Sequence, residues 1–353
     1  MTGRGIDQVL PHPNDPVIHE RYAGSALDYV ELAERVNGVI PAPVPFDYVW
    51  GDALAELHRV APDARIVNLE TSITTSDAWE PKGINYRMNP GNVPCLSAAG
   101  IDCCVLANNH VLDWGPEGLD ETLTTLRAAG LHTAGAGPDR AAAWAPAVLA
   151  TSEGRILVFG LGAPDSGVPR AWAAAEDVPG VAFLPDLSKG TANEVVAHVQ
   201  RFRRAGDIVV ISVHWGENWG YAVPPSHRDF AHRLVGSGTV DVIHGHSSHH
   251  PRGLEVYEGK PILYGCGDFL NDYEGISGYE EFLDDLVLMY FPTLDASGLT
   301  QLRMVPLRLR RFRLERAAPP DAARLQQVLD RESAPFGASI ETTEDGALLA
   351  RWA

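Results

Sequence analysis

The sequence predicts an α/β fold in which parallel strands are covered on both faces. Two observations lead to this fold class: four short apolar segments are each followed directly by polar side chains, and helical patterns lie between them. Strands buried on both faces form continuous apolar runs, and crossover helices between parallel strands produce this order. The chain has 353 residues, 45% of them hydrophobic, and can therefore bury a large core.

The predicted elements account for most of the chain as one domain. Apolar strands are predicted at 65–67, 102–107, 207–213 and 240–243. Helices are predicted at 26–36, 119–129, 191–204, 225–235 and 321–331, and a Gly, the usual helix stop, follows the middle three. Residues 1–24 are predicted as a loop. Further strands are expected at 155–161, 261–264, 284–293 and 299–313, with a final hairpin around Asp345.

Polar side chains follow the predicted strands at their carboxyl ends. Glu70 follows the first strand, Asn109 and His110 follow the second, His214 follows the third and His246 follows the fourth. In open α/β sheets, ligands bind outside this edge. We therefore expect these side chains to converge on one site.

Residues 240–250 contain four of the thirteen histidines within seven positions, directly after an apolar run. A lone histidine is usually a satisfied core residue, but this density next to Gly245 is better explained by a ligand cluster, because neutral imidazole is the commonest protein ligand for transition metals. The predicted ligands combine oxygen and nitrogen donors: Glu70, Asn109, His214, His246 and His249. Such a set suits Mn, Fe or Zn better than Mg or Ca alone.

The same set can hold two divalent ions if one carboxylate bridges them, and Glu70 is the candidate bridge. His110 lies beside a ligand without being needed as one. It is therefore predicted to act as a general acid or to hydrogen-bond the transition state, with Asp113 fixing its tautomer. Trp215 and Asn218 lie in a Trp-Gly-Glu-Asn-Trp stretch that is predicted to line a substrate cleft. The alternative for the tryptophans is that they pack in the core.

The amino-acid composition of the chain limits which partners and locations can be expected. The net charge of -18, from 46 acidic and 28 basic residues, disfavours nucleic-acid binding. No apolar run reaches the ~18 residues of a membrane span, and the sequence after Met1 lacks a signal-peptide pattern, so a cytoplasmic location is predicted. The four cysteines include no Cys-x-x-Cys pair and are predicted to be buried free thiols. The expected partner is a small-molecule or polymer substrate.

Several motifs together resemble the poly-γ-glutamate capsule biosynthesis (CapA) family, which is similar in fold to the calcineurin-like metallophosphoesterases. The motifs are Asn-Leu-Glu at 68–70, Ala-Asn-Asn-His at 107–110 with Asp113, His-Trp-Gly at 214–216, Gly-His-Ser-Ser-His at 245–249 and Gly-Asp-Phe at 267–269. The resemblance implies a four-layer α/β/β/α sandwich over residues 1–316, with the helix and hairpin of residues 317–353 packed on it. It also implies a metal-dependent hydrolase acting on a phosphoester or a γ-glutamyl amide. The alternative is a non-catalytic scaffold or polymer-binding subunit with a partial metal site.

The resemblance assigns further residues and leaves one choice open. His246 and His249 match the family's paired histidines, although His250 stands next to His249 as an alternative ligand. Arg87 falls in a polar, substrate-facing loop. Arg4 lies in a Thr-Gly-Arg-Gly stretch that resembles the inside of an active-site loop, and it is expected to contact substrate.

Members of the family usually begin with an apolar strand that ends in Gly-Asp-x-Met, whose Asp is the first metal ligand. Met1 matches that internal methionine, so the resemblance implies that the reading frame starts upstream. Asp7 is the candidate to replace the missing carboxylate.

Overall fold

The computed structural model describes residues 1–352. Its helices, in chain order, are α1 (Gly5–Val9), α2 (Leu27–Asn37), α3 (Ala53–Val60), α4 (Pro94–Ala98), α5 (Gly115–Ala128), α6 (Arg140–Trp144), α7 (Lys189–Gln200), α8 (Pro225–Val235) and α9 (Pro319–Ser333). Its strands are β1 (Ile66–Asn68), β2 (Ser72–Ile73), β3 (Arg87–Met88), β4 (Cys103–Val105), β5 (His132–Ala134), β6 (Ala136–Gly137), β7 (Ala147–Thr151), β8 (Gly154–Gly162), β9 (Gly180–Val181), β10 (Ile208–His214), β11 (Val242–His246), β12 (Leu254–Tyr257), β13 (Lys260–Leu263), β14 (Leu286–Asp295), β15 (Gly298–Arg310), β16 (Arg313–Arg316), β17 (Ala338–Thr342) and β18 (Leu348–Trp352).

The largest sheet has six strands in the order β12-β13-β11-β10-β8-β7. Its four central strands are parallel, and the two edge strands are antiparallel to their neighbours. The almost wholly apolar β10 lies in the middle, because a strand buried on both faces has no place for polar side chains. In the register between β10 and β11, His214 pairs with His246.

A second, parallel sheet has the order β1-β4-β5. It packs on the six-stranded sheet through a shared apolar cluster that includes Cys103 and Val105 from β4 and Val158, Val210 and Val242 from the larger sheet. On the far side of the larger sheet, α7 and α8 pack on β10 and β11. On the far side of the smaller sheet, α3 and α5 belong to the largest apolar cluster. Both sheets are thus covered by helices outside and by each other inside.

The third sheet is antiparallel, with the order β14-β15-β18-β17 and with β16 paired to β15. It carries the carboxyl-terminal part of the chain, because β18 pairs with β15 and α9 packs on β17. Leu325 and Leu329 of α9 share an apolar cluster with Ile340 and Leu348. The boundary between 1–316 and 317–353 stays a prediction.

The predicted α/β class is confirmed, and α5, α7 and α8 lie within a few residues of their predicted ranges. The loop predicted for residues 1–24 was partly wrong, because α1 forms at Gly5–Val9 after Arg4 adopts a positive φ. All four cysteines are free and buried, as predicted. Among residues 1–352, every helix is too short or too polar to cross a bilayer.

Candidate functional site

Three predicted ligands meet at the carboxyl ends of β1, β4 and β10. Nε2 of His214 lies 3.0 Å from Oδ1 of Asn109 and 3.8 Å from Oε1 of Glu70. Glu70 and His214 are buried, and Nδ2 of Asn68 donates to Oε2 of Glu70 at 2.9 Å, which fixes the carboxylate. One imidazole nitrogen and two oxygens therefore face a common point.

His246 lies beside this point but is turned away from it. Its Nδ1 is 2.8 Å from Nδ1 of His214, and its Nε2 is 3.0 Å from the hydroxyl of Ser212. Burial lowers the pKa of His246 well below its ordinary value and lowers the pKa of His214 to about 3, so both rings are neutral near pH 7. Because Oδ1 of Asn109 can only accept, Nε2 of His214 donates to it and Nδ1 of His214 accepts from Nδ1 of His246. A ligand bond from Nε2 requires the other tautomer, in which Nδ1 of His214 donates to His246.

His249 is held by Asp268. Its Nδ1 lies 3.1 Å from both carboxylate oxygens, and Nδ2 of Asn271 donates to the same carboxylate at 2.9 Å. Burial opposes a charge on His249, but Asp268 outweighs it and raises the pKa of the ring. A histidine held at Nδ1 by a carboxylate presents Nε2, which is the usual arrangement of a metal-binding histidine.

The alternative ligand, His250, faces a different environment. It is fully buried, its Nδ1 is 3.2 Å from the carbonyl oxygen of Pro251, and its ring stacks on Phe282 with centroids 4.7 Å apart. The geometry therefore favours His249 over His250 as the residue that faces the site.

His110 and Asp113 form a buried pair next to these groups. Nδ1 of His110 lies 2.7 Å from Oδ2 of Asp113, which also accepts from the backbone N–H of Tyr86 at 2.7 Å. Burial lowers the pKa of His110, and Lys82 adds to that effect while Asp113 opposes it. The neutral ring donates from Nδ1, so Nε2 is the atom available to a substrate.

Sequence reasoning did not select Lys82 and Asp268 as site residues. Nζ of Lys82 lies 2.6 Å from Oδ1 of Asp113 and 3.3 Å from Nδ1 of His110, and it also contacts the carbonyl oxygen of Asn109. Lys82 is one of three lysines in the chain, a scarcity that could have drawn attention to it. Asp268 stands in the Gly-Asp-Phe motif, and the motif alone assigns no role to its carboxylate.

The two arginines predicted to bind substrate are enclosed by the protein. Arg4 makes two hydrogen bonds to Asp272, at 2.8 and 2.6 Å, and two to Glu20, at 3.0 and 3.2 Å. Its guanidinium lies over the ring of Tyr29. It is 4% exposed. This prediction needs correction, because the guanidinium has no face left for a substrate.

Arg87 is engaged in a similar way. Its Nη1 donates to the carbonyl oxygen of Ser76 at 2.7 Å and to Asp77 at 3.0 Å, and its guanidinium lies 4.0 Å from the centroid of Trp114. The loop that contains Arg87 is therefore anchored by this side chain, and the guanidinium is not directed at the site.

Trp215 and Asn218 have different environments. Trp215 is buried, donates from Nε1 to the carbonyl oxygen of Tyr264 at 2.9 Å, and stacks on His227 with centroids 4.7 Å apart. The packing alternative thus describes Trp215, which lines no cleft. The side chain of Asn218 is exposed, and its backbone carbonyl accepts from the N–H of His249 at 2.9 Å.

The five predicted ligands are not gathered round one point. Within residues 1–352, His, Cys, Asp and Glu side chains do not come together in a group of three or more that could hold a metal ion as they stand. Both ring nitrogens of His246 are held by Ser212 and His214, so this ring is turned away from the other donors. Another of the converging donors is the amide oxygen of Asn109, which is not a His, Cys, Asp or Glu side chain. The donors that do converge are Glu70, Asn109 and His214, with the Asp268-bound His249 nearby: Glu70 is close enough to favour a charge on His249.

The family model described as "Bacterial capsule synthesis protein PGA_cap" matches residues 1–273. The chain belongs to this family. The site residues, including the pairs His110–Asp113 and His249–Asp268, lie within the matched region. The predicted resemblance to the CapA family is thereby confirmed.

Three relatives with printed names are similar to this chain. The "Probable polyglutamine synthesis accessory protein Rv0574c" of Mycobacterium tuberculosis is 48% identical over 353 residues, which cover 99% of this chain and 93% of that protein. The "PGA biosynthesis protein CapA" of Bacillus subtilis is 26% identical over 316 residues, or 87% of this chain and 69% of the relative. The "Capsule biosynthesis protein CapA" of Bacillus anthracis is 27% identical over 228 residues, or 65% and 53%.

Proposed function

We propose that this member of the capsule synthesis family is a metal-dependent hydrolase that acts on a phosphoester or a γ-glutamyl amide during polymer synthesis. The observation that carries the proposal is the convergence of Glu70, Asn109 and His214 beside the buried His110–Asp113 pair. The names of the relatives, which refer to polyglutamine synthesis, PGA biosynthesis and capsule biosynthesis, support the polymer context.

The donor chemistry fits a divalent ion. Nε2 of His214 and Oδ1 of Asn109 are 3.0 Å apart, a spacing that suits two ligands of one cation. Both atoms would be free to bind it once the proton of His214 moves to Nδ1. His249, with Nδ1 on Asp268, and His246, after a turn of its ring, would complete the site for one or two Mn, Fe or Zn ions. A bound ion would polarise the substrate bond and lower the pKa of a bound water.

The remaining residues position the substrate and move a proton. Nε2 of His110 takes up a proton from the attacking water and gives it to the leaving group of the bond that breaks, while Asp113 holds the ring in the required tautomer. Lys82 holds the other oxygen of Asp113, and its positive charge near the main chain of Asn109 favours an anionic substrate group. Burial of these groups strengthens each interaction because water competes less.

The order in which the sheets and helices stack also supports a metallophosphoesterase-like hydrolase. We propose that the packed three-stranded and six-stranded sheets, with helices on their outer sides, form the four-layer α/β/β/α sandwich of metallophosphoesterases. The apolar cluster shared between the facing sheets supports this arrangement.

The test is turnover with defined ions and substrates. The purified protein, stripped of metal and supplied in turn with Mn, Fe(II) or Zn, should hydrolyse at least one of a phosphomonoester, a phosphodiester and a γ-glutamyl anilide. The His58→Ala variant, which changes an exposed histidine on α3, serves as the matched control and should retain the parental rate. Rates equal to the uncatalysed reaction for every ion and substrate would exclude the hydrolase and leave the scaffold role.

A further inference from the structure

The strand β7 forms one edge of the six-stranded sheet and contains no charged residue. Ala147 and Leu149 are buried in the apolar cluster shared with the three-stranded sheet, whereas Val148 and Ala150 are exposed. Val148 keeps 40% of its surface exposed. Proteins usually protect edge strands with charges, proline or a covering element, because an apolar edge strand can pair with a further strand.

The backbone groups of Val148 and Ala150 point away from the sheet. A two-residue turn joins β7 to β8, so Thr151 and Gly154 close this hairpin as a hydrogen-bonded pair. In an antiparallel pair, such residues alternate with residues whose N–H and C=O groups face outward. Among residues 1–352, no hydrogen bond from another element reaches the outward groups of Val148 and Ala150.

Two other edge strands of this chain are protected. On β17, the N–H of Ile340 donates to Oδ1 of Asp330 at 2.8 Å, and its carbonyl accepts from Nε2 of Gln326 at 2.5 Å. Both partners belong to α9, which covers this edge. The strand β16 pairs with β15 and begins and ends with arginine, at Arg313 and Arg316. No comparable protection is present along β7, whose edge is open to pairing.

The open edge of β7 is complementary to itself. When two copies of β7 are placed antiparallel with Leu149 opposite Leu149, Val148 of each copy lies opposite Ala150 of the other. These are the residues with outward groups, so each pair exchanges two hydrogen bonds, about four in all. The ladder ends at Pro146, which has no N–H, and at the turn that follows Thr151.

We propose that β7 pairs antiparallel with β7 of a second copy of this chain, which joins two six-stranded sheets across a two-fold axis. The same edge is used on both copies, so the assembly closes as a dimer. A strand from another protein could use the same backbone groups, but the matching register favours a second copy. The proposal is independent of the hydrolase function.

The dimer is expected to be weak and to depend on concentration. A short edge contact buries less than the ~1,200 Å² at the lower limit of standard stable interfaces. The net charge of -18 on each chain also opposes association over long range. Added salt screens this repulsion and should strengthen the dimer.

Sedimentation velocity of the full chain, over roughly 1 to 500 μM, tests the association. The average mass should rise from that of one chain towards that of two. Ala150→Pro removes an outward N–H without removing a bond to β8, and Val148→Lys adds a charge to the edge; each should weaken the dimer at least about tenfold. Val178→Lys, at another valine that is 49% exposed, is the matched control. A single-chain mass at every concentration, or parental association in either edge variant, would overturn the proposal.

Residue-resolved amide hydrogen exchange locates the interface. The amides of Val148 and Ala150 should exchange at least about tenfold more slowly at high than at low protein concentration, because they gain hydrogen-bond partners. The amide of Leu149 already faces β8 and should not change, which provides an internal control. Dimerisation without protection of Val148 and Ala150 would place the interface elsewhere and would also overturn the proposal.

Cysteine cross-linking tests the register. Val148→Cys and Ala150→Cys are made in separate chains, because residues opposite each other in a hydrogen-bonded pair lie about 5.5 Å apart at Cα, within disulfide range. The native cysteines are buried and should not compete. With oxidised glutathione, a mixture of the two variants should give at least about fivefold more cross-linked dimer than either variant alone. Equal yields would contradict the proposed pairing.

Discussion

Nδ1 of His110 lies 2.7 Å from Oδ2 of Asp113, a carboxylate with no exposed surface. Through this contact, the proton of the neutral ring is placed on Nδ1 and Nε2 is directed to the site. The role proposed for His110 follows from that orientation, because a group that exchanges a proton with substrate needs a fixed, accessible nitrogen.

His110→Ala should retain bound metal and lose turnover. The expected decrease in kcat is roughly 10²- to 10⁴-fold, the usual contribution of a positioned acid or base. Steady-state kinetics on a substrate that the parent hydrolyses, together with metal analysis of both proteins, measures this. A parental kcat in the variant would mean that His110 is only structural.

Asp113→Asn should lower kcat while leaving the metal content unchanged, because a neutral amide does not stabilise the positive charge that His110 gains when it takes up a proton. The variant also loses the ion pair with Lys82, and its amide nitrogen must face another donor, either Nζ of Lys82 or the N–H of Tyr86. We expect unfolding to be easier by about 1–3 kcal/mol, the usual effect of an unmatched buried polar group.

The pH–rate profile distinguishes positioning from simple loss of stability. Asp113→Asn should change the apparent pKa of kcat, since Asp113 favours the charged form of His110. A profile of unchanged shape, measured at a temperature where the variant is folded, would show that Asp113 only stabilises the fold.

Asp7 should make stability depend on pH between about 4 and 6. Burial raises the pKa of this carboxyl to about 6, against hydrogen bonds from Asn14, Asn89 and Asn92 that lower it. A pKa that is higher in the folded state means that the folded protein binds the proton more tightly. Asp7 therefore contributes to the free energy of unfolding at pH 4, and this contribution is lost as the pH rises to 6. The expected loss is on the order of 2–3 kcal/mol.

The measurement is the unfolding free energy of the parent and of Asp7→Asn at pH 4, 5 and 6. The parent's stability relative to the variant should decrease as the pH rises across this interval. Asp47→Asn, which changes an exposed carboxylate, is the control and should leave the dependence in place. A constant difference between the parent and Asp7→Asn would refute the buried carboxyl as its cause.

Trp215→Ala should destabilise the fold by about 3–5 kcal/mol, because it removes a buried indole and leaves a cavity against His227 and Tyr264. Chemical denaturation measures the loss, and Trp79→Ala, at an indole that is 38% exposed, is the matched control. Parental stability together with a raised KM would instead assign Trp215 to the substrate cleft.

The convergence at the carboxyl ends of the strands could be predicted from sequence because it depends on strand order and direction. Once β10 and β11 are parallel neighbours, their register places His214 beside His246. The spacing of His110 and Asp113 likewise placed two side chains together at a turn. These two relationships are local in sequence or follow from sheet geometry. They can therefore be predicted from the pattern of apolar and polar residues.

Side-chain orientation could not be predicted. His246 bonds to Ser212 and His214 through both nitrogens, a choice that depends on packing between two strands. The pairing of Arg4 with Asp272 joins residues 268 positions apart, so nothing near Arg4 indicates that its guanidinium is already occupied. Lys82 reaches Asp113 from a loop whose path is set by tertiary contacts.

His246→Ala should lower metal affinity. Its ring supports Nδ1 of His214 in the present orientation and is proposed to bind an ion after turning. Loss of a residue that orients a ligand typically costs about 10–100-fold in affinity, and loss of a ligand costs more. Competition with a chelator of known affinity measures the change, and an unchanged affinity would remove His246 from the site.

The most direct test of the proposed function is the metal content of His214→Ala. Elemental analysis would compare this variant with the parent and with His58→Ala after the three proteins are exposed to the same Mn, Fe(II) or Zn solution and desalted. The parent and His58→Ala should retain at least about one ion per chain, and His214→Ala should lose it, because Nε2 of His214 faces both Glu70 and Asn109. Equal metal content in His214→Ala and the parent would contradict the metal centre on which the proposed hydrolase depends.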